Sequence, residues 1–134
     1  MAGTHLESDI VEIDNSASNV FNFLSDFNNF KSLMPSSVTN WQSTADTCSF
    51  TLSGMATIGM RIVEKSPVER IKINSEGKVP FEFELEVRII SLAENKCSGQ
   101  LVFDSDMNPM MKMMVEKPLS GFFNILAGKM KNIK

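Results

Sequence analysis

The sequence has no tyrosine, one tryptophan, one histidine and two cysteines in 134 residues. Each scarcity excludes something. Cys48 and Cys97 stand apart without a CxxC spacing, so they make neither a disulfide framework nor, with His5 as the sole histidine, a zinc site. They read as buried free thiols. His5 lies in the frayed start of the first strand, where a catalytic acid or base would lack its fixed partner and its cleft. Basic clusters are missing too: 13 Lys and Arg face 16 Asp and Glu, and a net charge of −3 with mixed signs argues against a nucleic-acid partner. No apolar run approaches the ~18–20 residues of a membrane span, and the N-terminus lacks an Arg- or Lys-led apolar leader. A cytoplasmic protein without membrane span, metal or cofactor is the expectation.

What the sequence does hold is ten Met and ten Phe. An interior built from them, without phenolic hydroxyls, is apolar and deformable, because Met has soft torsions and a polarisable sulfur. The length fits one domain over residues 1–134, large enough to bury roughly two-thirds of its unfolded surface.

Thr4 to Asp14 reads as a first strand, with Val11 and Ile13 alternating against Glu12 and Asp14. Asn15 and Ser16 supply helix-capping oxygens, and Val20, Phe23, Leu24 and Phe27 follow one-sided helical spacing. Asp26, Asn28 and Asn29 cluster at a turn, so a second short helix carries Phe30, Leu33 and Met34 up to Pro35. Period-two patterning then runs for about seventy residues. The strands are predicted at Ser37–Ser43, Thr47–Ser53, Ala56–Lys65, Glu69–Glu76, Phe81–Leu92 and Cys97–Asp106. Short links at Ala45-Asp46, Ser53-Gly54, Ser66-Pro67, Gly77-Lys78 and Glu94-Asn95-Lys96 make the series an antiparallel meander.

Asn108-Pro109 opens the last element, a helix of about six turns. Met111, Val115, Phe122, Ile125, Leu126 and Ile133 fall on one stripe with Met114 and Leu119 flanking it, and Lys117, Ser120, Asn124 and Lys131 fall opposite. Pro118 predicts a kink or brief break, and Gly121 and Gly128 would let another backbone come close. A meander with one apolar face needs a cover, and this helix is the one element large enough. The expected fold is α+β: a curved antiparallel sheet of about seven strands, two short helices, and a long C-terminal helix over the concave face.

That order, and the segment Val11-Glu-Ile-Asp-Asn-Ser-Ala-Ser-Asn-Val-Phe-Asn-Phe-Leu-Ser-Asp-Phe-Asn-Asn-Phe leading to Met34-Pro35, resembles the START-like (SRPBCC) superfamily of helix-grip proteins. This family includes the birch-pollen-allergen, polyketide cyclase/dehydrase and coenzyme-Q-binding types. The resemblance implies a cavity between the concave sheet face and the long helix, used for sterols, lipids, quinones, flavonoids or polyketides, with catalysis in a minority. One fold serves many functions, so the motif bears on architecture and not on ligand.

The inward positions carry almost no ionisable residues, which favours a small hydrophobic ligand held without catalysis. The candidate contacts are Leu33, Met34, Trp41, Phe50, Met60, Phe83, Leu85, Phe103, Met111, Met114 and Phe122. A cyclase- or dehydratase-like enzyme would need an inward acid, Arg or hydroxyl cluster, for which Asp9, Ser53 and Thr57 are the weak candidates. A protein-interaction module with a filled core is a third reading. Glu82, Glu84 and Glu86 alternate with apolar residues and belong to the wet face, shared with Arg61, Arg70 and Lys72. Asp104, Asp106 and Asn108 lack the glycine and distal Glu of a calcium loop. The run Met107, Met110, Met111, Met113 and Met114 reads either as core or as an adaptable pocket wall. At ~24 cal/mol per Å³, a dry ~300 Å³ cavity would cost on the order of 7 kcal/mol. The space is therefore small, hydrated, occupied, or filled by collapsing Met and Phe side chains.

Overall fold

A computed structural model describes residues 4–36, 38–52, 56–77 and 81–133. Two short strands, β1 (Thr4–Glu7) and β2 (Val11–Ile13), lead into α1 (Ala17–Leu24), α2 (Phe27–Phe30) and a 3₁₀ turn at Lys31–Leu33. The meander follows as β3 (Val38–Ser43), β4 (Thr47–Leu52), β5 (Ala56–Ser66), β6 (Arg70–Ser75), β7 (Phe83–Ala93) and β8 (Lys96–Ser105). The final helix is α3 (Pro109–Met130). Strand order is β1-β8-β7-β6-β5-β4-β3, antiparallel throughout, with β2 also paired to β8. This is the α+β helix-grip architecture. The predicted strand start at Ser37, the strand end at Ser53, the Ser53-Gly54 turn and Lys78 of the Gly77-Lys78 turn lie outside the described residues.

The expected first strand is two. Ser8 interrupts it because its side chain enters the ladder: the Leu101 N–H donates to Ser8 Oγ at 2.9 Å while the Ser8 N–H donates to the Leu101 carbonyl. Gln100 Nε2 holds the Ser8 carbonyl, and Asn124 Oδ1 accepts the Asp9 N–H, tying this break to α3. A serine hydroxyl competing with backbone pairing is the local cause.

Alternation in β7 places Phe83, Leu85, Val87 and Ile89 inside and leaves Glu84 and Arg88 on the wet face, with exposed Glu82 just ahead of the strand. Ser16 caps α1 by accepting the Asn19 N–H, Asp26 caps α2 through Asn28, and Asn108 caps α3 through Met111 at 2.8 Å. The residues flanking the short helices hold the C-terminal end of the chain: Lys129 Nζ of α3 donates to the Met34 carbonyl, and Asn15 Nδ2 to the Ile133 carbonyl just beyond α3.

Two expectations for α3 change, and of the kink or break foreseen at Pro118 the break is absent, the helix running on through it. Pro118 and Met114 are both exposed, so water can take the carbonyl that the proline leaves unpaired. The buried stripe is Val115, Leu119, Phe122, Phe123, Leu126, Ala127 and Met130, whereas Ile125 is 49% exposed. Phe123 and Met130 fill more volume against the sheet than Ile125 would, and the helix turns to bury them. A Cβ added at Gly121 or Gly128 would meet nothing, so no other backbone approaches them among the described residues.

Candidate ligand-binding interior

The sheet's curvature and the helix above it bring most of the aromatic residues into one connected arc. The Trp41 ring stacks on Phe50 at 5.4 Å, Phe50 faces Phe122 at 6.3 Å, and Phe122 meets Phe123 at 5.4 Å. Phe123 then contacts Phe103 at 5.2 Å, and Phe103 lies 5.4 Å from Phe83 and 6.3 Å from Phe81. Edge-on and offset pairs of this kind add about 0.5–1.5 kcal/mol each beyond area burial. The arc spans the sheet from β3 to β8 and uses α3 as its bridge.

Between these rings remains an apolar cavity of about 30 Å³. It has room for little more than a water, and its lining offers water no hydrogen-bond partner, so it stays dry. A pocket for a drug-sized ligand needs ~300 Å³ or more. In this state the interior is filled.

Seven of the eleven candidate contacts, Met34, Phe50, Met60, Phe83, Leu85, Phe103 and Phe122, line this cavity together. Leu33 is buried beside it without lining it. Trp41 and Met111 are half-buried and pack on the surrounding core. Met114 is a correction: it is 68% exposed, with Met110 at 74% and Met113 at 85%. The Met run is therefore not a pocket wall. Its helical phase points Met110, Met113 and Met114 away from the sheet, and Met107 alone of the run is buried. Phe30, Leu52, Ile58, Phe81, Leu119, Phe123 and Leu126 also line the cavity and were not singled out. Period-two counting from Phe50, Met60 and Phe83 reaches Leu52, Ile58 and Phe81. Leu126 and Leu119 lie on and beside the stripe expected for the last helix, and Phe123 needed the true rotation of α3.

Among the described residues no acid, base or hydroxyl lines the apolar cavity. Asp9 and Thr57 are exposed, and Ser53 is outside the described residues. Glu84 and Glu86 line a hollow on the outer face, where Arg88 pairs with Glu86 and Lys72 stands across from it. Asp104 belongs to β8, and Asn108 is the α3 cap. Cys48 and Cys97 are free thiols, and burial pushes Cys48 up to about 12 and raises Cys97. Exposed His5 bridges two carboxylates, Glu7 through Nε2 at 2.8 Å and Asp104 through Nδ1 at 2.6 Å, and these hydrogen bonds raise its pKa. Among the described residues no group of His, Cys, Asp or Glu is arranged to hold a metal ion. No described helix is long and apolar enough to cross a membrane.

A second space lies at the sheet end where β6, β7, β8 and β1 terminate. It is an open groove of about 700 Å³, bordered by Glu82, Glu84, Asp104 and Asp106 on its outer side and by Thr4, Ser75, Phe83 and Ser105 nearer the interior. Phe83 belongs to both the groove and the apolar cavity, and stands between them.

No family model and no curated protein matches the chain. Solved structures do. A START superfamily protein from Mycobacterium smegmatis aligns at 15% identity over 97% of this chain and 99% of that one, with a TM-score of 0.71. Truncated norcoclaurine synthase from Thalictrum flavum aligns at 11% identity over 98% and 92%, with a TM-score of 0.77. An aromatase/cyclase from Streptomyces aligns at 14% identity over 98% and 96%, with a TM-score of 0.70. At these identities the likeness is one of fold: the chain has the START-like helix-grip fold.

Proposed function

We propose that the chain, acting as one domain over residues 1–134, binds a small apolar or amphipathic molecule of lipid, quinone or polyketide-like kind between the sheet and α3, in the cytoplasm and without converting it. The observation that carries this reading is the lining of the interior, which is apolar at every described position. Such a surface rewards apolar contact by about 25 cal/mol per Å² and offers nothing to move a proton. That absence of acid, base or hydroxyl from the lining favours a binder over a cyclase. Met34, Phe50, Met60, Phe83, Leu85, Phe103 and Phe122 are the proposed contacts, with Leu33, Trp41 and Met111 behind them.

Because the free interior is filled, the ligand must displace rings rather than enter a ready void. Holding ~300 Å³ open without a ligand would cost on the order of 7 kcal/mol, comparable to a domain's whole stability. Opening and occupation are therefore one event. Native mass spectrometry of protein purified from its own host is expected to show a bound apolar molecule. A clean apo mass, with no thermal stabilisation by lipids, quinones or aromatic polyketides, would sink the proposal.

One observation favours a second reading, a protein-interaction module with a filled core: the exposed Met110, Met113 and Met114 on the outer face of α3. Under that reading Met113→Ser with Met114→Ser abolishes partner capture, and no apolar ligand stabilises the wild type.

A further inference from the structure

Among the described residues one buried side-chain polar atom has no hydrogen-bond partner, the Oγ1 of Thr4. Thr4 is 1% exposed. An orphaned buried hydroxyl is a standing cost and calls for an explanation. Its polar neighbours at this end of the sheet are satisfied: Ser105, its partner in the β1–β8 register, donates to the Glu82 carbonyl at 2.6 Å, and Ser75 accepts the Phe83 N–H at 3.1 Å. Thr4 also borders the open groove, beside Phe83, the residue shared with the apolar cavity. Thr4 thus borders the groove beside an interior whose lining, among the described residues, carries no polar side chain.

We propose that the Thr4 hydroxyl anchors the polar end of the ligand, and that the ligand is a neutral alcohol, phenol or ketone whose apolar body passes Phe83 into the space under α3. The inference rests on the binding reading above and adds to it a polar contact, an entrance and a charge. Threonine can donate to a carbonyl or accept from a hydroxyl. An anionic head group is disfavoured, because Glu82, Glu84, Asp104 and Asp106 border the same groove and His5 is already held by Asp104 and Glu7.

Equilibrium dialysis at pH 7 with 2-naphthol, 2-methylnaphthalene and 2-naphthoate tests this on the full chain. The wild type should hold 2-naphthol about tenfold more tightly than 2-methylnaphthalene, the discrimination expected of one buried hydrogen bond, and should hold 2-naphthoate more weakly than either. Thr4→Val should erase the preference for the hydroxyl and melt a few degrees higher, since it removes an unpaired polar atom. Thr4→Ser should keep the preference. Equal binding of the naphthol and the hydrocarbon by the wild type, a preference that survives Thr4→Val, or binding of the naphthoate as tight as the naphthol would each overturn the anchor while leaving the apolar binding site standing. Failure of both neutral probes to bind the wild type would instead overturn the binding reading, and the anchor with it. Should Thr4→Val fail to fold, the wild-type ranking and Thr4→Ser still decide.

Discussion

Phe103→Ala tests whether the aromatic arc is a close-packed core or a soft filling. Phe103 is 1% exposed, and its ring lies 5.2 to 6.3 Å from those of Phe123, Phe83 and Phe81. Truncation forfeits about 2 kcal/mol of apolar transfer. It also leaves a void of roughly 100 Å³, worth about 2.4 kcal/mol at ~24 cal/mol per Å³ if the neighbours stay put. The expected loss is therefore about 4 kcal/mol, a large share of a domain's ~5–15 kcal/mol. Urea unfolding followed by far-ultraviolet circular dichroism reads it directly, and with a slope of ~2 kcal/mol/M the midpoint should fall by about 2 M. The new void, merged with the existing cavity, would be apolar and large enough for benzene, so benzene should restore part of the midpoint in the variant and leave the wild type unchanged. A loss under ~2 kcal/mol with no response to benzene would refute the reasoning. It would mean that Met60, Phe81 and their neighbours close on the space as soon as it forms.

Three further outcomes follow from other parts of the molecule. Val68 occupies the left-handed region at φ 44° in the turn closed by the Glu69 N–H on the Ser66 carbonyl, a conformation that a β-branched residue tolerates poorly. Val68→Asn should therefore raise stability by about 1 kcal/mol in a thermal melt, and a lower melting temperature would contradict the strain. His5 should titrate above its ordinary value near 6.5 when followed by NMR. Because the folded pKa is raised, its contribution is complete below the unfolded pKa and is lost as pH rises through the folded one, so the wild-type advantage over His5→Gln should shrink on going to alkaline pH, and by little, since both ion pairs are exposed. With burial holding Cys48 near 12 and raising Cys97, neither thiol should react with a disulfide reagent at pH 8 until urea is added, and rapid modification of the native protein would show that the core opens locally.

The strand and helix order was legible because each signal was local and redundant. Phe83 to Arg88 alternates faultlessly, Asn108-Pro109 marks its own helix start, and Ser16 caps the helix it precedes. Less legible were features set by what a side chain meets at a distance. Nothing near Ser8 announces that its hydroxyl will take the Leu101 N–H, 93 residues away. In the first half of α3 four methionines look alike to a periodicity count, and the sheet decides that Met111 packs on the core while Met114 is exposed. Phe123 and Met130 outcompete Ile125 for the inner face only once the depth of the concave surface is known. The strand positions of the interior were therefore readable, and of its helical wall Leu119, Phe122 and Leu126 were readable while Phe123 was not.

Trp41 gives the arc a consequence of a different kind. The indole is anchored by Nε1 donating to Ser43 Oγ at 3.0 Å and stacks on Phe50, which in turn faces Phe122 of α3. The sequence holds one tryptophan and no tyrosine, so ultraviolet emission from this protein comes from a single dominant fluorophore two rings away from the helix that closes the interior. Any lifting of α3 that parts Phe122 from Phe50 changes the indole's surroundings, and its spectrum with them. The molecule carries a built-in optical gauge of its own closure, readable without label or mutation.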